Sequence, residues 1–186
     1  IEDSIPMWQE YLFEKAKALN LKDEKGNSEK CSFYDIFAPL ITESSDKEKD
    51  WTYKEAKEFI INKFSEFSSH MGDFVKTAFE ENWVDAEIRK GKVGGAFCID
   101  FPLQKVSRVL TNFSGTTSDI LTLAHELGHA YHHFCIKDLD YNLCSYPMTL
   151  AETASIFAET MVTNSMLKTA NLSEKINLLE MHLSDS

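Results

Sequence analysis

Apolar residues recur every three or four positions over much of the chain, which is the spacing of helices that bury one face. The pattern is clearest in residues 51–67, where aromatic and aliphatic side chains return at helical intervals. Thr52 and Glu55 have the spacing of a capping box, and Trp51 can pack onto Ala56 one turn later. We therefore predict a helix that begins directly behind Thr52.

The same spacing predicts further helices, separated by polar loops and turn residues. These helices are expected to begin at Pro6, after Gly72, at Asp119, after Pro147 and after Ser173. Ser118 is the predicted N-cap of the helix from Asp119, and Ser173 is the predicted cap of the last helix. The helix from Asp119 should reach about Phe134. Residues 31–40, CSFYDIFAPL, are instead predicted to form a short turn or strand-like segment that ends at Pro39.

Two short segments depart from helical spacing. The sequence GKVGGAFCIDFP (91–102) has three glycines and then a run that can form a strand, and SRVLTNF (107–113) is a second strand candidate. The predicted fold is mainly α with a small antiparallel β-sheet. The chain is long enough for one sizeable domain over residues 1–186, with a helical part over 1–90 and the sheet plus further helices over 91–186.

The charge balance argues against nucleic acid as a partner. The chain has 30 acidic and 19 basic residues and a net charge of −11, whereas phosphate binding needs a surplus of Lys and Arg. No apolar run approaches the roughly 20 residues of a membrane-spanning helix, and the acidic, amphipathic first residues do not resemble a signal peptide. The four cysteines form no C-x-x-C pair, so we expect free thiols in a reducing cytoplasm.

The sequence His125-Glu126-Leu127-Gly128-His129 has the form H-E-x-x-H and lies on a predicted helix. Side chains four residues apart on a helix are separated by about 40° around its axis, so both imidazoles can bind one ion. Glu126 is rotated by about 100° and can reach a metal-bound water without being a ligand. The motif predicts one Zn²⁺ per chain, with Glu126 as a general base.

A catalytic zinc site needs a third protein ligand and an open position for water. Glu152 follows His129 on the next predicted helix, which can fold back against the first, so it is the predicted third ligand. Glu159 lies on the same face as Glu152 and is a candidate partner for the second nitrogen of a ligating histidine, with a solvent-facing carboxylate as the alternative. His132 and His133 could extend the site by contacting substrate, although a polar or structural role is the preferred interpretation.

Several segments resemble the oligoendopeptidase F family of zinc metallopeptidases, which are relatives of thimet oligopeptidase. The main matching segments are GKVGGAFCIDFP, TLAHELGHAYHHF and PMTLAETASIFAET, with FYDIFAPL and NWVDAEIRKGK upstream. They occur in the order that the family shows. Together they extend from about Phe33 to Met166, which makes the resemblance specific.

The resemblance implies a mainly helical, zincin-type catalytic core around a deep channel that admits short peptides and excludes folded proteins. His125, His129 and Glu152 would be the zinc ligands, and Glu126 the catalytic base. The strand Gly94-Gly95-Ala96-Phe97 would border the cleft and bind substrate. A glycine-rich edge suits this role because its backbone can pair with an extended peptide.

The chain also departs from the family pattern. Family members are longer at both ends, so we expect this chain to be a central fragment that holds part of the catalytic domain. Nothing after Met166 matches the family segment whose His and Tyr side chains stabilise the oxyanion, and losing such donors costs on the order of 100-fold or more in rate. The fragment alone is therefore expected to bind zinc but to be weak or inactive.

Two alternatives to an endopeptidase stay open at this point, a zinc aminopeptidase and a non-catalytic helical module. An aminopeptidase needs an additional acidic anchor for the free amine of its substrate, and the sequence identifies none. The sequence does not predict the oligomeric state.

Overall fold

A computed structural model describes residues 2–23, 25–27, 30–38, 40 and 50–184. The chain divides into two compact units, one formed by Ile1–Asp46 with Asn171–Ser186 and the other by Lys47–Ala170. Pro39, the predicted end of the segment 31–40, lies outside the described residues.

The described residues are mainly helical, as predicted. The α-helices are α1 (Ile5–Ala18), α2 (Tyr53–Phe67), α3 (Ser69–Glu80), α4 (Thr117–Ile136), α5 (Met148–Thr169) and α6 (Leu172–Ser184). Short 3₁₀ helices occupy Glu2–Ser4, Phe33–Asp35 and Tyr141–Leu143. No described helix is both long enough and apolar enough to span a membrane.

The smaller unit contains α1 and α6, which a buried ion pair joins. Lys15 on α1 is only 2% exposed, and its ammonium group contacts the carboxylate of Glu180 on α6. Its Nζ also donates a hydrogen bond to the carbonyl oxygen of Ile36. A buried ammonium group needs such partners, because leaving it unpaired in the interior is costly.

The larger unit contains a three-stranded sheet. Its strands are β1 (Val84–Asp85), β2 (Phe97–Phe101) and β3 (Val106–Leu110), and they lie in the order β1-β3-β2. The two predicted strands are confirmed, since β2 pairs antiparallel with β3 and places Phe97 opposite Leu110. Strand β1 pairs parallel with β3, so the sheet is mixed rather than purely antiparallel. The two residues of β1 are too few to produce an alternating pattern in the sequence.

Helix α4 begins two residues earlier than the sequence predicts. Its N-cap is Thr116 rather than Ser118, and Thr116 forms a capping box with Asp119. The Asp119 carboxylate also accepts hydrogen bonds from the backbone N–H groups of Ser114 and Gly115. Burial acts to raise the pKa of Asp119, but these hydrogen bonds outweigh it and lower the pKa.

Helices α3 and α6 also begin earlier than predicted. Helix α3 continues through Gly72, and a Cβ there would lie 2.8 Å from Ser65 Cα on α2. This glycine therefore permits a close helix contact and does not mark a helix start. At α6, the capping bonds join Asn171 and Glu174, in place of the predicted cap at Ser173.

The contact between α4 and α5 is equally close, and it depends on Gly128. A Cβ at this position would lie 2.8 Å from Ser155 Cα and 2.9 Å from the carbonyl oxygen of Ala154. Ser155 is itself fully buried between the two helices. Because the nearest atoms belong to the α5 backbone, rotating a side chain cannot make room for a larger residue.

We expect Gly128→Ala to lower the free energy of unfolding of this chain. Alanine gains up to about 1 kcal/mol in helix propensity, but forcing α4 and α5 apart costs about 1–3 kcal/mol or more. The net loss should be measurable by urea denaturation. Gly94→Ala is the matched control, because a Cβ at Gly94 meets no atom within 4 Å. A Gly128→Ala protein as stable as the wild type would contradict the close helix contact.

Candidate metal centre

Helix α4 presents His125 and His129 one turn apart. Their ring centroids lie 5.0 Å apart, and the ring planes are nearly perpendicular at 81°. Both side chains are partly buried, with exposed fractions of 25% and 21%. They are thus shielded from bulk water but remain accessible to a small ligand.

Glu152 lies in the first turns of α5 and faces these two histidines. Its Oε2 is 3.2 Å from His125 Nε2 and 3.6 Å from His129 Nε2. One ligand atom from each of the three residues can be chosen so that all lie within 4.8 Å of one another. The structure therefore brings the three predicted ligands together, although they come from two helices.

This donor set suits a zinc ion. Two imidazole nitrogens and one carboxylate oxygen are a ligand set of catalytic zinc sites. Ligands about 2.0–2.1 Å from a tetrahedral zinc lie about 3.4 Å from one another. The distances from Glu152 Oε2 to the two imidazole nitrogens, 3.2 and 3.6 Å, lie on either side of that value.

Ser155 fixes the carboxylate of Glu152. Its hydroxyl lies 2.8 Å from Glu152 Oε2 and 3.0 Å from the Glu152 carbonyl oxygen. Ser155 is fully buried, so this hydroxyl does not exchange its partner for water. Ser155 was not among the residues predicted from the sequence, although its position three residues after Glu152 on a helix is a usable signal.

Glu159, the predicted partner of a ligating histidine, lies two turns beyond Glu152 on α5. Its Oε2 is 3.0 Å from Nδ1 of His125. With Nδ1–H donating to Glu159, the Nε2 of His125 faces Glu152. A carboxylate on the second nitrogen fixes both the tautomer and the orientation of a histidine ligand.

The two histidines differ in their electrostatic environment. The hydrogen bond with Glu159 raises the pKa of His125, despite the opposing effect of burial. Burial lowers the pKa of His129, and this effect outweighs the nearby Glu152 carboxylate. A lowered pKa favours the neutral form, which is the form of histidine that binds metal.

Glu126 lies on α4 beside the group of three and interacts electrostatically with His125 and Glu152. It is only 7% exposed, and burial raises its pKa. The neighbouring His125 acts to lower this pKa, and so, to a smaller extent, does the backbone N–H of Cys98 on β2, which faces the carboxylate. A buried carboxylate of this kind is a stronger base than one in water.

The glycine-rich segment differs from its predicted form. Only Phe97 belongs to β2, whereas Gly94 and Gly95 form a bend and Ala96 has no regular structure. Gly95 has a φ of +79°, which glycine adopts without strain and which breaks the strand. The Asn112 side chain fixes the bend by donating to the carbonyl oxygens of Val93 and Gly95.

His132 and His133 lie outside the group of three. The ring of His132 packs on Tyr146 at a centroid distance of 4.4 Å, and burial lowers its pKa. His133 is 5% exposed, and its Nδ1 lies 3.2 Å from Asp100 Oδ2. A contact of His132 with substrate stays a prediction.

Comparisons with known proteins identify the family of the chain. Residues 4–185 match the model of peptidase family M3. Oligoendopeptidase F (chromosomal) of Lactococcus lactis subsp. cremoris is 31% identical over the whole chain, and the group B oligopeptidase PepB of Streptococcus agalactiae is 30% identical over 90% of it. The chain spans only 29% and 26% of these two relatives.

Solved structures give the same result. A Chlamydophila abortus protein assigned as a peptidase superposes on 99% of the chain with a TM-score of 0.77 and 29% identity, and the match covers 29% of that protein. The resemblance to oligoendopeptidase F that the sequence motifs indicated is thereby confirmed. The chain belongs to peptidase family M3.

Proposed function

We propose that this chain carries the zinc-binding part of a metalloendopeptidase that hydrolyses internal bonds of short peptides. The observation that carries the proposal is the meeting of His125, His129 and Glu152 within 4.8 Å, beside the buried Glu126. The relatives named oligoendopeptidase F and oligopeptidase support the substrate class.

In this proposal, His125, His129 and Glu152 hold one Zn²⁺. Glu159 orients His125, and Ser155 orients Glu152. Zinc bound there supplies Lewis acidity, which lowers the pKa of a coordinated water to about 7 and polarises a carbonyl group.

Glu126 is the proposed general base. It accepts a proton from the attacking water and passes it to the leaving amine. Its raised pKa makes it a stronger base. The Cys98 N–H faces its carboxylate from the side of β2. Adjoining turns of α4 therefore supply two of the proposed ligands and the proton carrier, and α5 supplies the third ligand.

Strand β2 is the proposed docking edge for the peptide. In the part of the chain that the structure describes, it lies at the edge of the sheet, and backbone groups on its outer side can pair with an extended substrate. The bend at Gly94 and Gly95, followed by Ala96, leads directly into Phe97, and we propose that this stretch and His132 contact the substrate. The exposed side chain of Phe97 offers an apolar surface for a substrate residue.

We further propose that the chain alone hydrolyses peptides weakly, because it spans less than a third of its relatives. The oxyanion-stabilising residues that the family resemblance implies have no match after Met166. Its four cysteines are all free thiols, which suits the proposed reducing cytoplasm.

The first expectation is that the purified chain binds about one zinc ion, as measured by elemental analysis after dialysis. His129→Ala should abolish this binding because it removes a ligand. Glu159→Gln should keep the site but weaken zinc binding by about 10–100-fold in a chelator competition, because the histidine loses its orienting partner.

His182→Ala is the control for zinc binding, since His182 is exposed and lies on α6 outside the larger unit. It should bind zinc like the wild type. If carefully prepared wild-type chain takes up no zinc, the non-catalytic helical module becomes the better interpretation.

The second expectation concerns the full-length protein that contains this chain. Glu126→Gln should keep zinc but lower kcat by about 10²–10⁴-fold, because the amide cannot accept the proton. The substrate should be a short peptide with both ends blocked, assayed by mass spectrometry. Glu58→Gln on the exposed face of α2 is the matched control and should keep full activity.

Two results would contradict this assignment. Full turnover by Glu126→Gln would exclude Glu126 as the base. Cleavage that stops when the peptide N-terminus is blocked would instead indicate a zinc aminopeptidase.

A further inference from the structure

We infer that Asp100 and His133 form a clamp that holds strand β2 against helix α4 and thereby positions Glu126. The clamp is a structural assignment that stands on the contacts described below. Its consequence for catalysis rests on the proposed role of Glu126 as the general base. Asp100 and His133 are therefore positioning residues, since neither belongs to the group His125, His129 and Glu152.

Both carboxylate oxygens of Asp100 have partners. Oδ1 accepts a hydrogen bond from the Ser107 hydroxyl at 2.8 Å, and Oδ2 lies 3.2 Å from His133 Nδ1. Ser107 stands directly opposite Asp100 on β3. The carboxylate thus joins three elements, namely β2, β3 and α4.

The two partners of Asp100 are shielded from water, whereas the Asp100 side chain itself is 30% exposed. His133 is 5% exposed and Ser107 is 1% exposed. The second ring nitrogen of His133, Nε2, is buried and has no hydrogen-bond partner in the described part of the chain. The contact with Asp100 is therefore the polar interaction that fixes this ring, and losing it would leave two polar groups poorly satisfied.

The spacing along both elements connects the clamp to Glu126. His133 follows Glu126 by seven residues on α4, so the two side chains lie about 20° apart around the helix axis. Asp100 follows Cys98 by two residues on β2, so both side chains point to the same side of the sheet. One face of α4 therefore meets one stretch of β2 at two points. Glu126 faces the Cys98 N–H, and His133 contacts Asp100.

The edge position of β2 explains why a clamp is needed. Within the described residues strand β2 pairs with β3 alone, so its other side gains no order from a neighbouring strand there. The turn between β2 and β3 also carries Lys105, which pairs with Asp138 just beyond α4. Both of those side chains are more than half exposed, and exposed ion pairs contribute little to stability.

Amide hydrogen exchange of this chain, followed by NMR, tests the clamp directly. The reporter is the exchange rate of the Cys98 amide relative to that of Leu123, which lies in the fully buried part of α4. Asp100→Ala should speed the exchange of Cys98 at least about tenfold relative to Leu123, since the contacts of Asp100 with the buried His133 and Ser107 are lost. His133→Leu should do the same, because it removes the partner from the helix side.

A conservative variant and a matched control complete the experiment. Asp100→Asn should keep the Cys98 rate within about threefold of the wild type, because an amide can still accept from His133 and bond to Ser107. Asp138→Ala should also leave it unchanged, although it removes an ion pair at the same end of the hairpin.

Three outcomes would overturn the inference. They are an unchanged Cys98 rate in Asp100→Ala, an equal rise at Cys98 and Leu123, and global unfolding of both Asp100→Ala and His133→Leu. The last two results would assign the pair to general stability instead of local positioning. Because exchange is measured without substrate or metal, it tests the clamp even if Glu126→Gln shows that Glu126 is not the base.

Discussion

The close approach of α4 and α5 at Gly128 is the contact on which the candidate metal centre depends. Gly128 lies between His125 and His129, and its missing side chain lets the α5 backbone approach at Ser155. Glu152 stands one turn before Ser155 and is thereby brought to both histidines. A larger residue at 128 would move α5 outward and Glu152 with it. The H-E-x-x-H motif thus has two uses. Its ends place the two histidines, and its Gly128 permits the close packing of α4 on α5.

A single face of α5 then supplies the remaining support. One stripe of α5 carries three side chains at helical spacing, Glu152, Ser155 and Glu159. Glu152 is the ligand candidate, Ser155 orients it, and Glu159 is the partner of His125. This arrangement couples both sides of the site to one rigid element. A movement of α5 would change the ligand geometry and the orientation of His125 together, which favours a site that is either assembled or lost as a whole.

The sequence could predict those parts of the structure that local spacing determines. The helices, the β2–β3 pair and the direction of His125 and His129 follow from periodicity and the motif. The N-cap at Thr116 was not predicted because Ser118 is an equally good capping residue, and only the bonds to Asp119 decide between the two. The prediction of a strand over Gly94–Phe97 was wrong because the positive φ of Gly95 breaks the strand before Phe97. The pairing of Asp100 with His133 depends on how β2 docks against α4, which no local pattern encodes.

The charges around the candidate site favour a cation over an anion. Three carboxylates, those of Glu126, Glu152 and Glu159, surround His125 and lie in partly or largely buried positions. Nδ1 of His125 donates its proton to Glu159, which leaves Nε2 as an acceptor 3.2 Å from Glu152 Oε2. Two acceptors at this distance repel each other unless a positive charge stands between them. A second proton on the ring supplies that charge, and the nearby Glu152 carboxylate adds to the larger effect of the Glu159 hydrogen bond in raising the pKa of His125. A divalent cation supplies it as well, so protons and metal compete for the same position, and metal affinity should fall as the pH falls.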